Sequence, residues 1–268
     1  MRYGIISEKQ CRIESGNFMT TEYVKFETYM FGDYSEYSYQ HEGLLEELLS
    51  LVAENHNFTF IINPFEVNYF DGLESSRQNR IGFVDNANLT DIYFNTDCIN
   101  ISKRVYVESG ILDNEFFRKE IRCLSNLMIQ FLDKSQFSKV RGTRMAILAE
   151  VVLDKSETEL EADKVLNVIS VNDGNVVEWS ETVVTRKFSD ELKEEVNINK
   201  SVQKSEGELF YQGELINDNP VVIRYDYNTL GMEQTPRFFA SDFRSFFEFI
   251  LEQVDFDTQR EKINECSK

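Results

Sequence analysis

The sequence predicts an α+β fold, a mostly antiparallel sheet packed with about three long amphipathic helices. Three observations predict it. Short runs rich in aromatic and β-branched residues follow one another with turn residues between them, and three longer segments carry apolar residues at helical spacing. Strict strand–helix alternation, the mark of a parallel sheet, is absent. With 268 residues, 41% hydrophobic and 13% aromatic, the chain can bury roughly three quarters of its unfolded surface without a disulfide or metal staple.

Taken in order, TEYVKFETYMFG (21–32) reads as a strand, although Tyr23, Lys25 and Glu27 alternate only imperfectly with Val24, Phe26 and Tyr29. The spacing of Leu44, Leu45, Leu48, Leu49 and Val52 predicts a helix over 43–55. β-rich runs follow at 57–65, 80–85, 91–96 and 99–109, broken at Pro64, Gly72 and the Asp85–Asn88 cluster. A second helix, 113–133, aligns Phe117, Ile121, Leu124, Met128 and Phe131, with Asp113 and Glu115 in its first turn and Lys134 past its last. The apolar run of 139–154 predicts a strand buried on both faces or at the sheet centre. A short helix over 156–169, a turn at Asp173-Gly174 and strands at 176–185, 208–216 and 221–227 come next. A closing helix, 241–254, lines up Phe243, Phe247, Ile250 and Val254, and Thr258 with Glu261 gives one more capping signal. Two arrangements fit this order: similar α+β halves, 1–135 and 136–268, or a single continuous core.

The order of helix 113–133, central strand 140–153, VVIRYDYNTL and a terminal helix starting at SDFRSFFEFI resembles an uncharacterised family of sporadically distributed bacterial proteins. The similarity covers roughly the last 170 residues. Where that family carries arginine, glycine and leucine before an arginine-tyrosine strand end, this chain has Arg141-Gly142-Thr143-Arg144. The resemblance brings no activity. It implies a patchy distribution of the kind shared by mobile or antiviral defence genes.

The raw material for common catalytic sites is sparse. His41 and His56 bracket one predicted helix and, at about 1.5 Å rise per residue, would stand over roughly 20 Å apart, which rules out a shared metal through that helix. The same placement denies a serine or cysteine its base. No phosphate-cradling glycine motif occurs. No cofactor or metal is therefore expected. Cys11, Cys98, Cys123 and Cys266 are scattered singly and read as reduced thiols. MRYGIISEKQCRIESG lacks a signal's apolar core, and no run is long enough to span a membrane, so the expected setting is cytoplasmic, without membrane contact. The one enzymatic alternative is a magnesium-dependent nuclease or phosphodiesterase using Glu150, Asp154 and Lys155 at the end of the central strand.

Charge says more than any motif. The chain carries 28 basic and 47 acidic groups, net −19. Residues 1–100 are net −10 and 151–268 net −12, whereas 101–150 are net +3. The basic island comprises Lys103, Arg104, Arg118, Lys119, Arg122, Lys139, Arg141 and Arg144. In a strand–helix–strand unit these groups would converge on a phosphate or an acidic loop; the bland alternative is pairing with surrounding acids. The acidic remainder repels nucleic acid except locally at the island and suits a basic protein partner. The aromatic stretch Tyr29–Tyr39 fits either an interface or an ordinary strand and turn, and Trp179 reads as core. The expected function is thus a non-enzymatic, macromolecule-binding cytoplasmic protein.

Overall fold

The structure, a computed structural model, describes residues 21–71, 74–108, 112–153, 179–204, 208–211, 214–218, 220–232 and 234–257. The helix expected at 156–169, the Asp173-Gly174 turn, the Thr258–Glu261 signal, Asp154, Lys155, Cys11 and Cys266 lie outside the described residues.

Twelve strands and three helices are described. The strands are β1 (Thr21–Gly32), β2 (Ile61–Ile62), β3 (Phe65–Asp71), β4 (Glu74–Asp85), β5 (Thr90–Phe94), β6 (Cys98–Glu108), β7 (Gly142–Val152), β8 (Trp179–Ser189), β9 (Glu194–Lys204), β10 (Glu208–Tyr211), β11 (Glu214–Asp218) and β12 (Val221–Thr229). The helices are α1 (Leu44–Glu54), α2 (Asn114–Lys134) and α3 (Ala240–Gln253). One antiparallel sheet of ten strands runs in the order β2-β4-β5-β6-β1-β7-β12-β9-β8, with β3 paired to β4, while β10 and β11 form a separate pair. This is the α+β class that the sequence predicts.

The two central strands come from distant parts of the chain, with Lys25 opposite Glu150 and Thr28 opposite Ile147. In β1, Val24, Phe26, Thr28 and Met30 are buried toward the helices, and Lys25, Glu27, Tyr29 and Phe31 take the other face. The alternation looks imperfect in sequence because a threonine sits inside while two aromatics sit outside. Flanked by β1 and β12, β7 buries Met145, Ile147, Ala149 and Val151 inward and Ala146 and Val152 on the second face. Its continuous apolar run follows from that central place. Gly142, at its start, is held so close that a Cβ would lie 2.8 Å from Met30 Sδ and 2.9 Å from Phe31 O.

On the helix face, Asp113 caps α2 by accepting from Phe116 N at 2.7 Å. Phe117, Ile121, Leu124, Met128 and Phe131 are buried, as their spacing predicts. Phe117 meets Phe26 edge-on at 5.3 Å and stacks on Phe256 at 4.5 Å, fixing α2 between β1 and the end of α3. The 3-10 turn at 136–139 sets Phe137 against Phe94 at 5.1 Å and Tyr34 at 5.7 Å. Tyr34 and Tyr37, from the aromatic stretch, thus pack as strand end and turn. Trp179 is buried.

Several boundaries differ from the sequence reading. In α1, Leu51 is buried and Leu49 is 37% exposed, so the apolar stripe is rotated. The strand expected at 176–185 is described from 179 and extends to 189, and 208–216 is a hairpin of two short strands rather than one. The sequence reading lacks β9, β3 and the 74–79 half of β4: in β9 and in ESSRQN polar residues hide the two-residue period, while β3 is a short alternating run between the breaks at Pro64 and Gly72.

Asp85 ends β4 and accepts from Thr59 N (2.8 Å), Ala87 N (3.0 Å), Asn88 N (3.1 Å) and Asn88 Nδ2 (2.7 Å). Burial pushes its carboxyl up, but these donors outweigh burial and hold it below the usual carboxylate range. A lowered native pKa stabilises above the unfolded value and is lost as pH falls through the native one. Asp85→Asn should therefore cost about 1.5 to 3 kcal/mol at neutral pH, with the gap in urea midpoint closing below about pH 4. A gap independent of pH would refute the assignment.

Candidate functional site

The helices cover one sheet face. On the other, strand register lines up side chains from segments far apart in sequence. One row reads Arg104, Lys25, Glu150, Arg224, Ser201, Thr182 across β6, β1, β7, β12, β9 and β8. The next reads Asp91, Ser102, Glu27, Leu148, Asp226, Asn199, Val184, and a third Tyr93, Asn100, Tyr29, Ala146, Asn228, Asn197, Arg186. Between β1 and β8 these rows line a groove of about 430 Å³.

The groups are tied to one another. Arg224 Nε donates to Glu150 at 2.6 Å, Lys25 Nζ lies 3.0 Å from Glu27, and the Tyr29 hydroxyl donates to Glu27 at 2.9 Å. Arg104 meets Asp91 at 2.6 Å. Asp226 accepts from Asn199 (3.2 Å) and Asn228 (2.8 Å), and Asn228 accepts from Asn197 (3.2 Å). Burial, then the Glu27 carboxylate, pushes the Tyr29 phenol up, so it stays a donor across the physiological range. Burial also raises Asp91, against the opposing pull of Arg104 and Lys25. On this face the cations Lys25, Arg104, Arg144, Arg186 and Arg224 are matched by Glu27, Asp91, Glu150, Glu195 and Asp226. Among its described side chains the face is thus balanced, on a chain of net charge −19.

The basic island does not form one pocket. Lys103 and Arg104 lie within β6, not at its end, and successive strand residues point to opposite faces. Lys103 turns to the helix face, where its Nζ is 2.6 Å from Glu120, and Arg104 turns to Asp91 on the open face. Arg118 bonds Glu115 at 2.8 Å and the Leu251 carbonyl at 3.2 Å. Lys119 and Arg122 are exposed on α2, and Lys139 is exposed on the 3-10 turn; none has an ion pair among the described residues. Arg141 stacks over Phe239 at 4.4 Å and Arg144 over Phe31 at 5.1 Å, which puts Arg144 at one end of the open face. Its buried Nε has no hydrogen-bond partner among the described residues.

Of the alternative catalytic trio, only Glu150 is described, and its carboxylate is engaged by Arg224. Among the described residues no three His, Cys, Asp or Glu side chains gather to hold a metal. His41 bonds the Glu36 carbonyl (3.0 Å) and Gln136 (2.8 Å), tying the start of α1 to the turn after α2. Cys98 is buried, and burial pushes its thiol up to about 12, away from reactive thiolate. No helix among the described residues is long and apolar enough to cross a membrane. Sequence reasoning missed the open-face residues Lys25, Glu27, Asn199, Asp226 and Arg224, since only register brings them together. No protein-family model matches the chain, and no curated protein is significantly similar to it.

Proposed function

We propose that this is a non-enzymatic cytoplasmic protein that binds a basic protein partner, its acidic surface steering the encounter and its open sheet face providing the docking surface. The observation that carries the reading is the composition of that face: tyrosine, arginine and amide groups in a pre-paired network, with charges balanced. Interfaces favour aromatic residues and arginine at their centres. Seven strands from β5 to β8, at about 4.8 Å each, span roughly 30 Å, enough for a standard interface of about 800 Å² per partner. The excess of acids elsewhere supports attraction of a basic partner at a rate that falls with salt. The family resemblance adds a setting among mobile or defence-associated genes.

The test compares capture from a native extract by the wild type and by Arg224→Ala. Arg224 is 54% exposed, so its loss should leave melting within about 1 kcal/mol of wild type. It should weaken capture of the same basic protein about tenfold or more. Capture of acidic proteins, or of the same protein equally by both, would overturn the reading. Cleavage of DNA or RNA with magnesium that disappears in Glu150→Gln would favour the nuclease instead.

A further inference from the structure

The strand β8 closes one end of the sheet, and among the described residues no strand pairs with its outer side. It is paired to β9 over all eleven residues without a register break, and its sequence, WSETVVTRKFS, has neither proline nor glycine. Val183 (51%), Val184 (57%) and Phe188 (57%) are exposed. A long, regular, partly apolar edge is a template for pairing, which proteins ordinarily block with bulges, prolines or short strands. Of the protective devices β8 has only charged side chains, Glu181, Arg186 and Lys187, and these carry both signs, so they discourage a partner of mismatched register rather than every partner.

We infer that β8 pairs antiparallel with β8 of a second copy of this chain, with Val184 on the two-fold axis, joining two sheets into one. Charge complementarity selects that occupant and that register. With Val184 opposite itself, Glu181 falls opposite Lys187 of the other copy, and by symmetry the pair occurs twice. Moving the axis to Val183 or Thr185 loses the pair, and moving it to Arg186 or Lys187 sets like charges face to face, which is destabilising. Within 179–204, Arg186, Lys187, Lys193, Lys200 and Lys204 balance Glu181, Asp190, Glu191, Glu194 and Glu195. This hairpin is therefore a neutral approach surface on a chain of net charge −19, where two copies meet with little repulsion. A two-fold contact of this kind is self-complementary and closed, so it ends at a dimer.

Sedimentation of the full chain over a range of concentrations tests the inference. The mass should rise from 31.4 kDa toward twice that value. Val184→Lys should raise the dissociation constant about tenfold without lowering the melting temperature at concentrations where the wild type is monomeric, since the side chain is exposed in the monomer. Under oxidising conditions Val184→Cys should give a covalent dimer, and Thr182→Cys, whose opposite residue is Arg186, should not. A monomer at every concentration, a Val184→Lys variant that dimerises like wild type, or linkage as efficient from position 182 as from 184 would overturn it.

Discussion

Arg80→Met should lower stability by about 3 to 5 kcal/mol, a loss read directly from the urea midpoint. Arg80 is fully buried, yet it makes no ion pair among the described residues. Its guanidinium serves carbonyls: Nε donates to Phe94 O at 2.9 Å, and Nη2 to Tyr34 O at 2.9 Å and Asn95 O at 2.5 Å. Three chain segments, the end of β5, the loop after it and the turn after β1, are thus held by one side chain. Burial pulls its pKa down to about 10, which still leaves it charged at neutral pH. Methionine fills similar space but withdraws a donor from each of these carbonyls; Tyr34 O still accepts from Tyr37 N at 3.0 Å, so the loss falls mainly on Phe94 O and Asn95 O, each costing about 1 to 3 kcal/mol. Lysine has three donors but not the planar fork and should recover only part of the loss. A loss under about 1 kcal/mol would mean that water replaces the guanidinium, contrary to this account.

Lys103→Met should cost a similar amount, about 3 to 5 kcal/mol, by stranding the Glu120 carboxylate. That carboxylate is 7% exposed and lies 2.6 Å from Lys103 Nζ between β6 and α2. Replacing both, as Lys103→Met with Glu120→Leu, should restore most of the stability, because an apolar pair of similar volume removes the uncompensated charge. The double-mutant cycle then reports a large coupling. If Lys103 instead served a ligand, the single change would leave stability intact and the cycle would show none.

These two residues show what sequence can and cannot reveal. Helices α2 and α3 are legible because three- and four-residue apolar spacing survives any tertiary context, and β1 because its turn residues bound it. The strand β9 is illegible because only Val196 and Ile198 are buried, while Asn197, Asn199 and Ser201 supply the polar open face. Lys103 and Arg104 look alike as neighbours in a basic run, yet a two-residue period sends them to opposite faces. Arg80 is indistinguishable in sequence from a solvated arginine, since its partners are backbone carbonyls that no residue type announces. The row Lys25, Glu150, Arg224, Ser201 exists only through pairing across the sheet.

The seam between β1 and β7 also bears on the order in which the molecule can assemble. Four pairings in the sheet, β3–β4, β4–β5, β5–β6 and β8–β9, are hairpins, close in sequence and cheap to bring together, while β1–β6 and β7–β12 each close over about 70 residues. The seam is different: Gly32 meets Gly142 across about 110 residues of chain, and closing such a loop costs about 4 kcal/mol in chain entropy before any contact repays it. Long-range pairings of this kind slow folding. During synthesis β1, β4, β5 and β6 leave the ribosome well before β7, so the inner edge of β1 waits unpaired for its neighbour. The emerged segment 1–100, at net −10, then repels its counterpart on another nascent copy and opposes pairing there.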